Sequence, residues 1–218
     1  MAHACTTHYF KAFVTTDVIG LEMCGSLKNV IALAVGMARG AGYGENTAAM
    51  IETRGLSEMT ALGKAAGADP KTFCGLAGVG DLIATCGSPL SRNYTFGANL
   101  GKGLSVEEAT RVSNGVAEGV PTTDAVVALG RKLGVPTPLA TAMSHVLAAA
   151  RCWPSCSAPI SPRSERTEPF RWAGAGNQTG AARPFCCGFV KLLRQMVHAH
   201  MRKRRRRARL RVGWYPVI

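Results

Sequence analysis

DVIGLEMCGSLKNVIALAVGMARGAGYGEN, residues 17–46, decides the fold. Asp17 has the short acceptor side chain that caps a helix, and Val18, Leu21, Leu27, Val30, Ile31, Ala34, Val35 and Ala38 follow it. On a 3.6-residue period these apolar positions fall on nearly every side. A helix apolar all round belongs at the centre of a bundle, so the stretch predicts a buried central helix that the glycines of GAGYGEN stop.

Working outward, Phe10–Thr15 mixes aromatic and β-branched residues and reads as a short extended entry, closing an N-terminal segment over residues 1–16. Downstream, Asn46 is the expected cap of a second helix that runs to Ala66 and ends at Gly67. Asp69 before Pro70, Ser105 with Glu108, Thr122 after Pro121, and Thr137 before Pro138 mark further starts. Helices are predicted near 70–76, 80–86, 92–100, 105–112, 122–133 and 137–150. No strand–helix–strand alternation interrupts them, so residues 17–150 read as one all-α domain, with no doubly wound nucleotide-binding sheet in the chain.

Composition agrees with one helical domain and an appendage. The chain has 218 residues, 47% hydrophobic and 6% aromatic, enough for one aliphatic core. Its net charge of +13 is uneven: Met1–Ala150 carries 11 Lys+Arg against 11 Asp+Glu, and Arg151–Ile218 carries 15 against 2. The body is neutral, which removes its surface from the polyanion-binding class. Scattered Cys5, Cys24, Cys74 and Cys86 suit a reducing compartment better than a disulfide framework. MAHACTTHYF lacks the continuous apolar run of a secretory segment. The longest apolar stretch, Val30–Ala38, is far shorter than the roughly 20 residues of a membrane span, so a soluble protein is expected.

Lys28, inside the central helix, has two readings. It snorkels to the surface along its own stem, or its apolar surroundings tune it for proton exchange in a dry site. Asp81 after Gly80 reads from position as a helix N-cap. GAGYG is not a dinucleotide fingerprint, which follows a strand and opens a helix.

Three blocks bear on these choices: DVIGLEMCGSLKNVIALAVGMARGAGYGENTAAMIETRGLSEM, TFCGLAGVGDLIATCGSPLSRN and NGVAEGVPTT. In order and spacing they resemble NAD(P)-dependent glycerol-3-phosphate dehydrogenases of the bacterial and plastid type, over about 140 residues. The resemblance implies a 6-phosphogluconate-dehydrogenase-like helical domain and interconversion of sn-glycerol 3-phosphate and dihydroxyacetone phosphate. It further implies NAD or NADP as cofactor, a small phosphorylated substrate, a homodimer, and a cytoplasmic or plastid location. By the same resemblance Lys28 is the catalytic proton donor and acceptor, while Asn29, Asp81 and Thr85 line the substrate pocket. Ser91, Arg92 and Asn93 hold the substrate phosphate, and Arg92, Val116 and Glu118 approach the nicotinamide. With the nucleotide-binding half not found in the sequence, the chain alone is expected to be inactive.

Beyond Arg151 the resemblance stops. RCWPSCSAPISPRSERTEP has no sustained apolar period and predicts irregular chain; Phe185–Val197 is a candidate short helix, and RKRRRRARLR is a self-repelling cationic block. Cys152, Cys156, Cys186, Cys187, His198 and His200 match no familiar zinc spacing, and no metal site is predicted. The alternative function, a non-enzymatic basic nucleic-acid-binding or regulatory protein reusing the helical domain, rests on the arginines. No stacking aromatics interleave them, and the abrupt junction near Ala149 reads instead as altered splicing or a shifted reading frame.

Overall fold

The computed structural model describes residues 2–113 and 117–152. Among them are α1 (Ala2–Cys5), α2 (Val18–Ala41), α3 (Glu45–Ala65), α4 (Pro70–Phe73), a π-helical turn (Leu76–Gly80) and α5 (Asp81–Gly87). Then follow α6 (Arg92–Gly101), α7 (Val106–Val112), α8 (Gly119–Leu133) and α9 (Pro138–Cys152). No strand occurs among the described residues, in agreement with the all-α reading. The expectations for the tail beyond Cys152 lie outside the described residues.

α2 is the axis of the domain. Every residue from Val30 to Ala38 is buried, and α3, α5, α6, α8 and α9 pack around it. As a single helix it is also long and apolar enough to cross a bilayer, with mean hydropathy 1.6 over its most apolar window. Counting continuous apolar runs missed this, because Gly25, Ser26, Lys28 and Asn29 break the run without breaking the helix. Half of that window is buried inside the fold, as expected for a core helix.

The tightest packing joins α2 to α6. A β-carbon on Gly36 would stand 2.0 Å from the Tyr94 carbonyl oxygen, and one on Gly97 would stand 2.1 Å from that of Leu33. Gly40 and Gly101, one turn further along each helix, lie against Ala98 and Met37 in the same way. Small residues four apart on both partners let the two backbones meet directly, which a side chain would prevent.

Local capping accounts for several boundaries. Asp17 caps α2 by accepting from the Gly20 amide at 2.9 Å, and its second oxygen accepts from Thr72 Oγ1 at 2.6 Å and the Asp69 amide at 3.0 Å. The Thr72 hydrogen bond, chiefly, holds the Asp17 carboxyl below its usual range. Ser105 and Glu108 form the expected reciprocal capping box, and Gly42, at φ 95°, ends α2 in the left-handed region.

Other boundaries differ from expectation for tertiary reasons. α3 begins at Glu45 with extended Gly44 as its cap, because the Gly44 carbonyl takes the Thr47 and Ala48 amides; Asn46 is already helical. The helix expected at 70–76 divides into α4 and the π turn. α8 starts at Gly119 rather than Thr122: the Asn93 side chain accepts from the Gly119 amide at 2.8 Å, and Pro121 fits the first turn, where no amide is required. At α9, Glu58 from α3 accepts from the Leu139 and Ala140 amides at 2.8 and 3.2 Å. Burial pushes the Glu58 carboxyl up to about 7 against the opposing pull of those two amides.

Two predictions follow from this packing. Gly36→Ala is expected to destabilise the chain by about 3 kcal/mol or more, since backbone atoms must separate. Gly25→Ala, whose β-carbon meets nothing within 4 Å, is expected to stabilise it by about 0.5–1 kcal/mol. Equal effects in chemical denaturation would show that the α2–α6 contact is not close.

Glu58 holds its proton more tightly folded, at about 7, than unfolded, near 4.5. Its contribution therefore favours folding below about pH 4.5 and is lost as pH rises to about 7. The melting temperature of wild type relative to Glu58→Gln is expected to fall across that window, and a rise there would contradict the assignment.

Candidate functional site

Lys28 leaves α2 between buried Leu27 and Asn29, and its ammonium forms an ion pair and hydrogen bond with Asp81 Oδ2. The lysine side chain is 21% exposed and the aspartate 40%, so the pair stands at the edge of the core rather than in bulk water. The lysine stem ends on a carboxylate contributed by another helix. Asp81 opens α5 and is not an N-cap: Gly80 precedes it in αR geometry within the π turn. Thr85, one turn on, donates to Asp81 Oδ1 at 3.4 Å. Lys28, Asp81 and Thr85 therefore form one polar chain across α2 and α5.

Ser91, Arg92 and Asn93 lie at the start of α6. Ser91 is the N-cap, its Oγ accepting from the Tyr94 amide at 3.3 Å. Arg92 is the exposed member, and its Nη2 stands 3.8 Å from Glu118 Oε1, with both side chains more than half exposed. Asn93 is buried and gives Oδ1 to the Gly119 amide, which ties α6 to α8. Asn29, also buried, donates Nδ2 to the Gly25 carbonyl at 3.3 Å.

Gly119 joins the two groups, because a β-carbon there would lie 2.7 Å from the Asn29 carbonyl oxygen and 3.1 Å from Asn93 Oδ1. The backbone beside Lys28 and the side chain beside Arg92 thus meet at one glycine. Sequence reasoning did not single out Gly119, although it directly follows Glu118 in NGVAEGV. Val116 lies outside the described residues.

Burial, with the Asp17 and Asp81 carboxylates, pushes Cys24 up to about 11, and burial pushes Cys86 higher still. Among the described residues no group of three or more His, Cys, Asp or Glu is placed to hold a metal ion. The chemistry on offer is proton exchange at an ammonium held by a carboxylate, together with anion capture by an exposed guanidinium.

Residues 17–152 match the family described as NAD-dependent glycerol-3-phosphate dehydrogenase C-terminus, and the chain belongs to that family. It is 88% identical over 147 residues to a glycerol-3-phosphate dehydrogenase [NAD(P)+] of Bifidobacterium longum subsp. infantis, covering 67% of this chain and 44% of the relative. A Streptomyces coelicolor enzyme of the same name is 56% identical over 136 residues, covering 62% of this chain and 40% of that enzyme. The crystal structure of glycerol-3-phosphate dehydrogenase from Coxiella burnetii superposes with a TM-score of 0.65 at 35% identity, covering 71% of this chain and 50% of that one. The chain thus spans less than half the length of these curated relatives.

Inorganic phosphate probes the Arg92 site without assuming a substrate. Arg92→Ala is expected to weaken phosphate binding by about tenfold or more, the scale of a charge-assisted hydrogen bond. Glu118→Gln is expected to tighten it by up to about fivefold, because an exposed ion pair contributes at most about 1 kcal/mol. Calorimetric titration checks both, and weaker binding in Glu118→Gln would show that the carboxylate does not compete for the guanidinium.

Proposed function

We propose that this chain carries the substrate-binding and proton-transferring part of an NAD(P)-dependent glycerol-3-phosphate dehydrogenase, interconverting sn-glycerol 3-phosphate and dihydroxyacetone phosphate. The carrying observation is the Lys28–Asp81 pair, an ammonium fixed at the rim of an apolar helix where water is partly excluded. A reduced nicotinamide supplies the hydride when bound. As the ketone carbon accepts that hydride, its oxygen becomes an alkoxide; Lys28 Nζ gives it a proton and is left as the neutral amine. In the oxidising direction the neutral amine takes the hydroxyl proton. Asp81 holds the ammonium and a substrate hydroxyl, with Thr85 and Asn29 as the neighbouring polar groups.

Ser91, Arg92 and Asn93 take the phosphate, as a planar guanidinium beside exposed donors suits its oxygens. Arg92 and Glu118, exposed at the rim, fit a nicotinamide approached from one side, with Val116 assigned to the same contact by the resemblance. The described residues contain no strand, hence no strand–turn–helix cradle for the pyrophosphate, and NAD or NADP is held chiefly by a separate nucleotide-binding fold. Two such units associate as a homodimer in this reading.

The test is a graft. Residues 17–152 replace the corresponding part of the Bifidobacterium relative, and the hybrid is expected to reduce dihydroxyacetone phosphate. Lys28→Ala in that hybrid is expected to lower kcat by about 10²- to 10⁴-fold while KM changes little, the pattern of a group acting in the transition state. Parent-level turnover in Lys28→Ala would remove the lysine from the mechanism.

A further inference from the structure

Asn93 is 8% exposed, and its side chain is half committed. Oδ1 accepts from the Gly119 amide at 2.8 Å, whereas Nδ2 makes no protein hydrogen bond among the described residues and is not fully buried, so it opens to solvent. A backbone N–H only donates, so the amide cannot be turned over without setting donor against donor. Two N–H bonds of a nearly buried side chain are therefore held facing away from Gly119 and unsatisfied by protein. Open to solvent, these two N–H bonds are free to donate to an incoming acceptor in place of water.

Gly119 is what fixes this orientation. A β-carbon at that position would press 2.7 Å from the Asn29 carbonyl oxygen and 3.1 Å from Asn93 Oδ1 itself. Any side chain must push residue 119 away from the two atoms between which its amide sits. From below, Thr123 Oγ1 donates to the Gly119 carbonyl at 2.6 Å and secures the same residue within α8. Glu118, the next residue back, is the carboxylate that stands against Arg92.

We propose that Gly119 is a positioning residue, whose amide and missing side chain lock Asn93 with Nδ2 turned toward the anion taken by Arg92. The proposal rests on the reading of Ser91–Asn93 as a phosphate site. It adds that the donor pattern of that site is set from α8, not from α6 alone. Gly119 touches no substrate atom; it acts through the Asn93 amide. A phosphate oxygen, being an acceptor, completes the two open N–H bonds, whereas a cationic or donor-only ligand leaves them open.

The test uses the full 218-residue chain, ¹⁵N-labelled, titrated with inorganic phosphate. In wild type the Asn93 side-chain NH₂ signals, identified by their loss in Asn93→Asp, are expected to shift and saturate with phosphate. In Gly119→Ala that shift is expected to vanish and phosphate affinity to fall about tenfold, the scale of one hydrogen bond. Ser105→Ala removes the capping box of α7 without touching residue 119 and is expected to keep wild-type phosphate affinity, which separates positioning from general destabilisation. If Gly119→Ala does not fold, the scalar coupling across the Gly119 amide–Asn93 hydrogen bond in wild type decides instead. Its persistence in saturating phosphate supports the proposal, and its loss overturns it. Phosphate binding in Gly119→Ala at wild-type strength overturns the proposal and leaves the phosphate site standing. Absence of any phosphate response in wild type overturns the site and the proposal together.

Discussion

Backbone contact between α2 and α6 is the constraint from which the site follows. Gly36 and Gly40 meet Tyr94 and Ala98, while Gly97 and Gly101 meet Leu33 and Met37, so neither helix can slide or roll without driving carbonyl groups together. Helices are stiff rulers at about 1.5 Å per residue. Lys28 is roughly 12 Å from Gly36 along α2, and Arg92 roughly 8 Å from Gly97 along α6. Pinning the crossing therefore pins the two cationic side chains relative to each other, even though neither takes part in it. A core filled with larger aliphatic residues at these positions would hold the helices together as well, but further apart and in a less determined register.

A second layer of constraint comes from helix starts capped by distant side chains. Glu58 of α3 takes two amides of α9, Asn93 of α6 takes the first amide of α8, and Asp17 serves both its own helix and the start of α4. Each bond satisfies an amide that no intrahelical carbonyl can reach, and all but the Asp17–Gly20 bond join two elements in doing so. Compared with a local cap, the same hydrogen bond also orders tertiary structure. A short helix such as α4 would be marginal alone, and its link to Asp17 helps compensate for its length.

This division explains which parts of the fold were legible in the sequence. Asp17, Asp69 and the Ser105–Glu108 box are local signals, since donor and acceptor lie within a few residues, and the corresponding helices begin where those residues stand. The start of α8 was misplaced by three residues because its cap, Asn93, lies 26 residues away. Asn46 resembled a cap, but the Gly44 carbonyl had already taken the amides it would have organised. The π turn had no signal of its own, yet it is what brings Asp81 to Lys28 across a separation of 53 residues. That pairing was implied only by resemblance to a family; neither the lysine nor the aspartate carried it in its own surroundings.

The two cations of the site are not equivalent. Lys28 and Asp81 are partly withdrawn from water, where separating the charges would leave a carboxylate near buried Cys24. Arg92 and Glu118 are both well exposed at 3.8 Å, where solvent replaces either partner at little cost. An incoming dianion therefore exchanges with Glu118 sooner than with Asp81. In the proposed reading the phosphate end of a ligand goes to α6 while the Lys28 ammonium keeps its carboxylate. Because residues 1–150 balance 11 basic against 11 acidic residues, their own net charge does not single out a direction for an anion, and within this part of the chain the difference in solvation between the two pairs does.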